Sequence, residues 1–506
     1  MIRIISRNFS TKVKSKQWNT VVGLEVHAQI QSNTKLFSGS QISFSAPLNS
    51  RVSLFDAAIP GTLPVLNERC VEAGIKTASA LNCTINSLSM FDRKHYFYAD
   101  LPSGYQITQQ RAALANNGSI AFPVFTPGVN KKPYTKEVKL QQLQLEQDSG
   151  KSLHDETRSL VDLNRAGIPL MELVFDHTLE DGDEASSLVK ELILILKSLG
   201  TCSGKMEEGA LRVDANVSIN RPGEPLGTRT EIKNIGSIRS ITQAVNYEIN
   251  RQIEVKSEGG EITNETRSWD ATLKKTIAMR DKEIQQDYRF MPEPNLPMLL
   301  VDTNSDEKVR GNFKLKRIIS DLPKLPAEIR KELVENFALT EEIAIIIVNE
   351  ALLLAYFRKI LSTNPKLSPK SVSNILINDF LKIANERNEN LDSSRISSEH
   401  ILDILTYIEE GKINLQIGQI VLRKLFDSSE KSCFEIIDES SLWQIDDDEE
   451  IEKMCKEAIE KDPKAVAQYK KGKKKVLFAI AGNVFNTSNQ KANMRKVVKK
   501  LEELLE

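Results

Sequence analysis

Val22-Gly-Leu-Glu-Val-His-Ala-Gln-Ile-Gln31 alternates apolar and polar side chains along its length. Successive side chains on a strand point to opposite faces. The segment therefore predicts a β-strand with Leu24, Val26, Ala28 and Ile30 on one face and Glu25, His27, Gln29 and Gln31 on the other. Two later segments repeat the pattern. Leu143-Gln-Leu-Glu-Gln-Asp148 sets Gln144, Glu146 and Asp148 together, and Leu211-Arg-Val-Asp-Ala-Asn-Val-Ser218 sets Arg212, Asp214, Asn216 and Ser218 together. The short run Leu170-Met-Glu-Leu-Val174 adds Glu172 between apolar neighbours. Helices interleave with these strands. Asp183 to Leu199 carries Leu188, Leu192, Ile195, Leu196 and Leu199 at helical spacing and stops at Gly200, and Asn67 can cap a helix running to about Leu81. The first half is thus expected to be α+β, a mostly antiparallel sheet with helices on one face.

If the acidic strands pair in one sheet, Glu25, His27, Glu146, Glu172 and Asp214 share a face. Four carboxylates and an imidazole at close quarters repel unless a cation sits among them. Mg²⁺ suits such a set, because it takes a few carboxylates and leaves its remaining positions to water and phosphates. A solvent-facing strand also produces a Glu-x-His, so the pattern alone does not prove that the strands converge.

Basic residues near these strands are candidates for holding phosphates. Lys205-Met-Glu-Glu-Gly-Ala-Leu-Arg212 leads into the third acidic strand and offers Lys205 and Arg212. Arg229-Thr-Glu-Ile-Lys-Asn234 offers Lys233. Phe91-Asp-Arg-Lys-His-Tyr-Phe-Tyr98 mixes Arg93 and Lys94 with aromatic rings, which suits a nucleotide or an RNA end. An ordinary salt bridge accounts equally well for any one of them. Ser149-Gly-Lys-Ser152 ends like a phosphate-binding P-loop, but Leu145 stands where the earlier glycine is required. No GxGxxG, GxSxG or kinase catalytic-loop pattern occurs, so any ATP chemistry belongs to another fold.

The chain has 506 residues, too many for one ordinary core. Met291-Pro-Glu-Pro-Asn-Leu-Pro297 interrupts regular structure, which places a domain boundary near residue 295. Residues 313–427 then show helical periodicity broken at Pro365 and Pro369. An acidic, irregular stretch is expected at Asp446-Asp-Asp-Glu-Glu450, and a helical tail from about Ile451. The most apolar run, Ile343 to Phe357, is interrupted by Asn349-Glu350 and falls short of the roughly 20 residues that a membrane span needs, so no membrane insertion is expected. Five scattered cysteines, none spaced as CxxC, argue against a disulfide framework or a zinc knuckle.

Lys+Arg 68 against Asp+Glu 69 gives a net charge of −1, yet charge is unevenly distributed. From Lys461 to Glu506 there are 12 Lys/Arg and 4 Asp/Glu, a net of +8. The last helix should bury Val497, Leu501, Leu504 and Leu505, with Lys496, Lys499 and Lys500 mostly off that face. This reads either as a solvated helix surface or as a footprint for a polyanion. At the other end, Met1 to Val22 carries Arg3, Arg7, Lys12, Lys14 and Lys16 with serines between them and no acid before Glu25. Residues 1–16 are the pattern of an organelle transit peptide, though a disordered basic tail has the same composition.

Several of these segments, taken jointly, resemble the B subunits of tRNA-dependent amidotransferases. They are Val22-Gly-Leu-Glu-Val-His27, Pro60-Gly-Thr-Leu-Pro-Val-Leu-Asn67, Phe91–Tyr98, Val161-Asp-Leu-Asn-Arg165, Lys205-Met-Glu-Glu-Gly209, Leu211-Arg-Val-Asp-Ala-Asn216, Glu231-Ile-Lys-Asn234 and Asp287-Tyr-Arg-Phe-Met-Pro-Glu-Pro294. The resemblance implies a cradle-shaped catalytic domain (17–295) that takes ATP, Mg²⁺ and the aminoacyl-tRNA acceptor end, a helical domain (296–430) and a small helical tail (431–506) that holds the tRNA body. It implies an ATP-dependent carbon–nitrogen ligase in the mitochondrial matrix. Such an enzyme uses ATP and Mg²⁺ to phosphorylate the glutamate side chain of Glu-tRNA(Gln), and ammonia from glutamine then yields Gln-tRNA(Gln). Implied partners are an amidase, which supplies the ammonia, and a small third protein that completes a heterotrimer. The family's metal ligands fall at positions matching His27, Glu146 and Glu172, with Glu25 and Asp214 nearby. Arg93, Lys94, Lys205, Arg212 and Lys233 are then the nucleotide-contact candidates. A scaffold that has lost catalysis and a free-standing metal-dependent hydrolase are the competing readings. The intact acidic set argues against the first and the basic tail against the second.

The sequence also departs from its relatives. Many of them carry a Cys-x-x-Cys before the Pro-Gly-x-Leu-Pro segment, where this chain has Val52-Ser-Leu-Phe-Asp-Ala-Ala-Ile59, so a zinc site is not expected there. Gln147 stands where an acid is usual, and it points away from Glu146 on a strand. In the tail Lys491-Ala-Asn493 matches, whereas Gly482-Asn-Val-Phe-Asn486 does so only in part.

Overall fold

The computed structural model describes residues 17–130, 132–279, 287–303, 313–389, 391, 395–428, 430–470 and 473–505. The 1–16 leader, and most of the polar stretch after residue 303, lie outside the described residues. The chain divides into two compact units that part between Ile329 and Arg330.

The first unit is organised by a nine-stranded sheet. In chain order its strands are β1 (Asn19–Gln29), β2 (Thr84–Ile85), β3 (Ala115–Val124), β4 (Tyr134–Gln147), β5 (Pro169–Phe175), β6 (Leu211–Asn220), β7 (Thr230–Ile235), β8 (Glu265–Asp270) and β9 (Lys275–Ala278). They lie side by side as β9-β8-β7-β6-β1-β5-β4-β3-β2. Only the β7–β8 pair is parallel. The four strands with acidic faces are therefore consecutive neighbours, β6-β1-β5-β4.

The expected alternation holds in β1, where Leu24, Val26 and Ala28 are at most 1% exposed. They join the core with Met171, Leu173, Val213 and Ala215 from the neighbouring strands. Helices α1 (Glu68–Ala80), α2 (Gly182–Leu199) and α3 (Ile238–Ser257) contribute Ile75, Leu188, Leu192, Ala244 and Val245 to that core. Asn67 accepts from the Arg69 N–H at the start of α1, and Gly200 closes α2 with a left-handed φ of 63°. Burying the helix side of the sheet leaves the other face free to carry chemistry.

The proline cluster stays within this unit. Met291–Pro292 pairs with Arg93 and Asp92, and Leu299–Asp302 pairs with Ser89 and Leu88. The stretch without the Cys-x-x-Cys is held by a buried ion pair instead. Lys35 Nζ lies 3.0 Å from Asp56 Oδ2, with both side chains at most 1% exposed.

The second unit is helical among its described residues. Pro365 follows the helix Ala351–Thr363, and Pro369 opens the next helix at a position where a missing N–H costs nothing. The tail has its own core of Ile451, Cys455, Ile480, Val484, Val497 and Leu501, against which Leu504 packs. The acidic stretch differs from expectation. Asp448–Lys461 is a helix, and Asp447 caps it by accepting from the Glu449 and Glu450 N–H groups. Acids concentrated at a helix N-terminus meet the positive end of its dipole, so the run that reads as irregular is a helix start. Among the described residues no helix is long and apolar enough to cross a membrane.

Candidate active site

The register of β1 with its neighbours places the acidic residues. His27 pairs with Glu172 on β5 and with Arg212 on β6, while Glu25 pairs with Asp214 on β6. On β4, Glu146 pairs with Leu170, one strand further out. The Glu25 Oε1 and His27 Nε2 atoms are 3.8 Å apart. One ligand atom from each of Glu25, His27 and Glu172 lies within 4.8 Å of the others.

A cavity of about 420 Å³ opens beside them, lined by His27, Lys94, Gln106, Glu146, Asp214 and Lys233 among others. Arg212 and Asp148 also line it and pair at 3.0 Å. Lys233 lies 3.8 Å from Asp214 and 3.6 Å from Glu231. Carboxylates, an imidazole and three cations thus converge from β1, β4, β6, β7 and the strand Asp92–His95.

Burial and charge set the proton distribution. Burial raises the Glu172 pKa well above its ordinary value, helped by the Glu146 charge and by a hydrogen bond with Glu25. Burial pushes Glu25 in the same direction, but its hydrogen bond with Glu172 and the charges of His27, Lys94 and Lys233 outweigh it and hold Glu25 below the usual value. The two carboxyls, joined by a hydrogen bond, are thus shifted in opposite directions. Burial raises the Asp214 pKa, opposed by Lys233 and His27. Burial disfavours the Lys94 charge, but Glu146, Glu172 and Glu25 overcome it and keep the ammonium protonated.

Glu146 is held with unusual definition. Gln106 donates from its amide nitrogen to Glu146 Oε1 at 2.7 Å and to the Gln147 carbonyl at 2.7 Å. The Gln106 oxygen accepts from the Tyr96 hydroxyl at 2.9 Å, which fixes the amide orientation. The other carboxylate oxygen, Oε2, is buried and has no hydrogen-bond partner. An orphaned buried carboxylate oxygen is costly, and a cation is the partner that satisfies it. Hard oxygen donors with one imidazole fit a divalent ion. Glu25, His27 and Glu172 are the residues whose ligand atoms come together to hold it, while Glu146 and Asp214 fall outside that group and line the adjoining cavity.

The structure does not bring every candidate to this cavity. Arg93 and Lys94 are adjacent on a strand and point opposite ways. Lys94 faces the cavity, whereas Arg93 grips Glu293 through two bonds of 2.6 and 3.1 Å and lies 4.2 Å from the Tyr105 ring. Lys205 pairs with Glu208 at 2.8 Å on the surface. Tyr96 belongs to the site and lies in the aromatic segment Phe91–Tyr98 already noted, whereas Gln106 carries no residue type that singles it out. Alternation along Tyr105–Thr108 is the one signal that could have found Gln106.

Two sequence profiles match the chain. One, described as the GatB/GatE catalytic domain, covers residues 20–307, and the other, described as the GatB domain, covers residues 355–505. The chain belongs to the GatB family. It is 58% identical over 496 residues to a fruit-fly protein (Drosophila melanogaster), covering 97% of this chain and 96% of that one. A mosquito protein (Aedes aegypti) is 55% identical, with 99% and 96% covered, and a human one is 44% identical, with 98% and 90% covered. All three are named as the mitochondrial B subunit of glutamyl-tRNA(Gln) amidotransferase. Membership spans both units, so the acidic sheet face lies within the part of the family described as catalytic.

Proposed function

We propose that this chain is the B subunit of a glutamyl-tRNA(Gln) amidotransferase of the mitochondrial matrix, and that its sheet face activates the tRNA-borne glutamate. The single observation that carries the reading is the convergence of Glu25, His27, Glu172 and the orphaned Glu146 oxygen beside Lys94, Arg212 and Lys233. The division into a catalytic domain to about residue 295, a helical domain to 430 and a tRNA-binding tail belongs to the same proposal. So do the partners, an amidase and a small third protein of the heterotrimer.

A glutamate carboxylate resists ammonia because its oxygen is a poor leaving group. In the proposed reaction that oxygen attacks the γ-phosphorus of ATP, a new O–P bond forms, and the β–γ bridge breaks to release ADP. Ammonia then attacks the acyl carbon and inorganic phosphate leaves, giving the amide. Lys94, Arg212 and Lys233 orient and neutralise the phosphates. Glu25, His27, Glu146 and Glu172 would hold Mg²⁺, with Asp214 beside them, and the ion when bound would neutralise charge on the transferring phosphoryl group. Arg93 holds the Asp92–His95 strand through Glu293, which keeps Lys94 aimed inward. The test is ATP turnover by the assembled complex. Phosphate release should require Glu-tRNA(Gln), and turnover indifferent to tRNA would favour a free-standing hydrolase.

The tail supports a second expectation. Lys496 is paired with Asp446 and Asp448, and Lys500 with Glu452 and Glu503, so part of the positive charge is consumed locally. Lys473, Lys474, Lys475, Arg495 and Lys499 are exposed. Deleting residues 461–506 should weaken tRNA binding about tenfold or more at low salt, and should flatten the dependence of affinity on salt by several counterions. Equal salt slopes with and without the tail would show that it does not contact the polyanion.

A further inference from the structure

Glu172 is held by a chain of amides that takes no part in the proposed phosphoryl transfer. It pairs in register with Gln144 on β4, so the two side chains lie side by side on one sheet face. The Gln144 amide nitrogen donates to Glu172 Oε2 at 2.5 Å and to the Thr108 hydroxyl at 3.1 Å. Its oxygen accepts from the Gln142 amide nitrogen, which also donates to the Gln109 carbonyl at 3.3 Å. The Gln109 side chain in turn accepts from the Leu145 N–H at 3.0 Å, which ties that carbonyl to β4. Thr108, Gln109, Gln144 and Glu172 are all at most 8% exposed.

The chain has one polarity. A backbone carbonyl only accepts, so the Gln109 carbonyl fixes which end of the Gln142 amide is nitrogen. That nitrogen requires the oxygen of Gln144, which turns both Gln144 N–H groups toward Thr108 and Glu172. The Gln144 amide turned over would set two NH₂ groups together and press its oxygen against the Glu172 carboxylate. A buried amide that only fills space has no need of such a fixed direction. Here the last N–H meets one of the three side chains whose ligand atoms gather within 4.8 Å of one another.

We infer that Gln144 is a positioning residue that keeps Glu172 to a single ligating oxygen, and so makes the site favour a small octahedral cation over a larger one. The inference rests on the cation site of the proposed function and adds the group that sets its selectivity. With Oε2 tied to the amide, Glu172 has Oε1 left for an ion. One atom each from Glu25, His27 and Glu172 then fills half of an octahedron. The other half is left to water and phosphate oxygens, which suits Mg²⁺ or Mn²⁺. Ca²⁺ takes about six to eight oxygens at longer distances and often draws both from one carboxylate. A Glu172 free to turn would supply that second oxygen. Orientation of a ligand by an outer hydrogen bond is worth about 10–100-fold in metal affinity.

The test uses the assembled complex with Gln144→Met, which keeps the length of the side chain and removes its donor. Neither ATP nor tRNA is present. Mn²⁺ binding is read from the loss of the free ion's electron paramagnetic resonance signal, and Ca²⁺ binding from its displacement of Mn²⁺. The unaltered complex should bind Mn²⁺ more tightly than Ca²⁺. In the variant, Mn²⁺ affinity should fall about tenfold or more while Ca²⁺ affinity holds or rises, so the ratio between them shrinks. Gln142→Met acts one step further from the ligand and should shift the ratio the same way by a smaller factor. It decides the matter if Gln144→Met fails to assemble with its partners. An unchanged ratio overturns the proposal, whether both affinities hold or both fall alike, and the second case would make Gln144 a support of the fold alone. Failure of the proposed cation site itself would look different, since Mn²⁺ binding would then be indifferent to His27→Ala.

Discussion

Glu146→Gln should lower amidation by about a thousandfold, the scale of losing a preorganised charge at a phosphoryl-transfer site, while tRNA binding stays near that of the unaltered chain. The two oxygens of Glu146 have different surroundings. One accepts from Gln106, and the other is buried and unpartnered. A glutamine of the same size can still accept from Gln106 through its carbonyl. Its amide nitrogen must then occupy the orphan position, where an acceptor is replaced by a donor. The change is therefore local, electrostatic and nearly isosteric. Steady-state amidation and tRNA binding, measured on the same preparation, give the check. A parallel collapse of both would mean that Glu146 supports the fold rather than the reaction.

Asp56→Ala carries the largest expected stability effect. Lys35 is fully buried, and its charge is matched by Asp56 at 3.0 Å. Asp56 also accepts from the Ser38 hydroxyl at 3.0 Å and from the Ser53 N–H at 2.8 Å, so one carboxylate ties three parts of the chain. Removing one partner of a buried pair leaves an uncompensated charge, at a cost of about 3–5 kcal/mol. A fall of roughly 5–10 °C in the midpoint of thermal unfolding follows for a unit of this size. The sign of the pH dependence is also fixed. Burial lowers the Lys35 pKa, and Asp56 partly restores it. Without Asp56 it falls further, so between that lowered pKa and the ordinary value near 10.4 the unfolded chain binds more protons than the folded one. Stability of the variant should therefore rise with pH across that window. Replacing Lys35 by methionine in the same chain should recover most of the loss. Equal instability of the single and double variants would show that the carboxylate's loop contacts, not the buried charge, set the cost.

The acidic face was legible because a two-residue period needs only local sequence. Glu25, His27 and Asp214 could be assigned to one side of their strands from apolar neighbours alone. That β6, β1, β5 and β4 are neighbours was not legible, because strand order depends on contacts between residues far apart in the chain. The same reason hides the Tyr96–Gln106–Glu146 chain and the edge-to-face contact of Tyr96 with Tyr288, 192 residues apart in numbering. Alternation places Arg93 and Lys94 on opposite faces but cannot say which one meets Glu293 and which the cavity. Lys205 reads as a phosphate ligand from its motif, yet its ammonium pairs with Glu208, three residues on. The acidic stretch before the tail was misjudged because a run of like charges suggests solvated coil, whereas here it caps a helix.

The most direct measurement gives the complex Glu-tRNA(Gln), γ-labelled ATP and Mg²⁺ with no ammonia donor, and follows label onto the tRNA-bound glutamate or into released phosphate. Label transfer should require charged tRNA and be lost with Glu146→Gln. Tight binding of Glu-tRNA(Gln) with no ATP turnover under any condition would contradict it and leave the chain as a tRNA-binding scaffold.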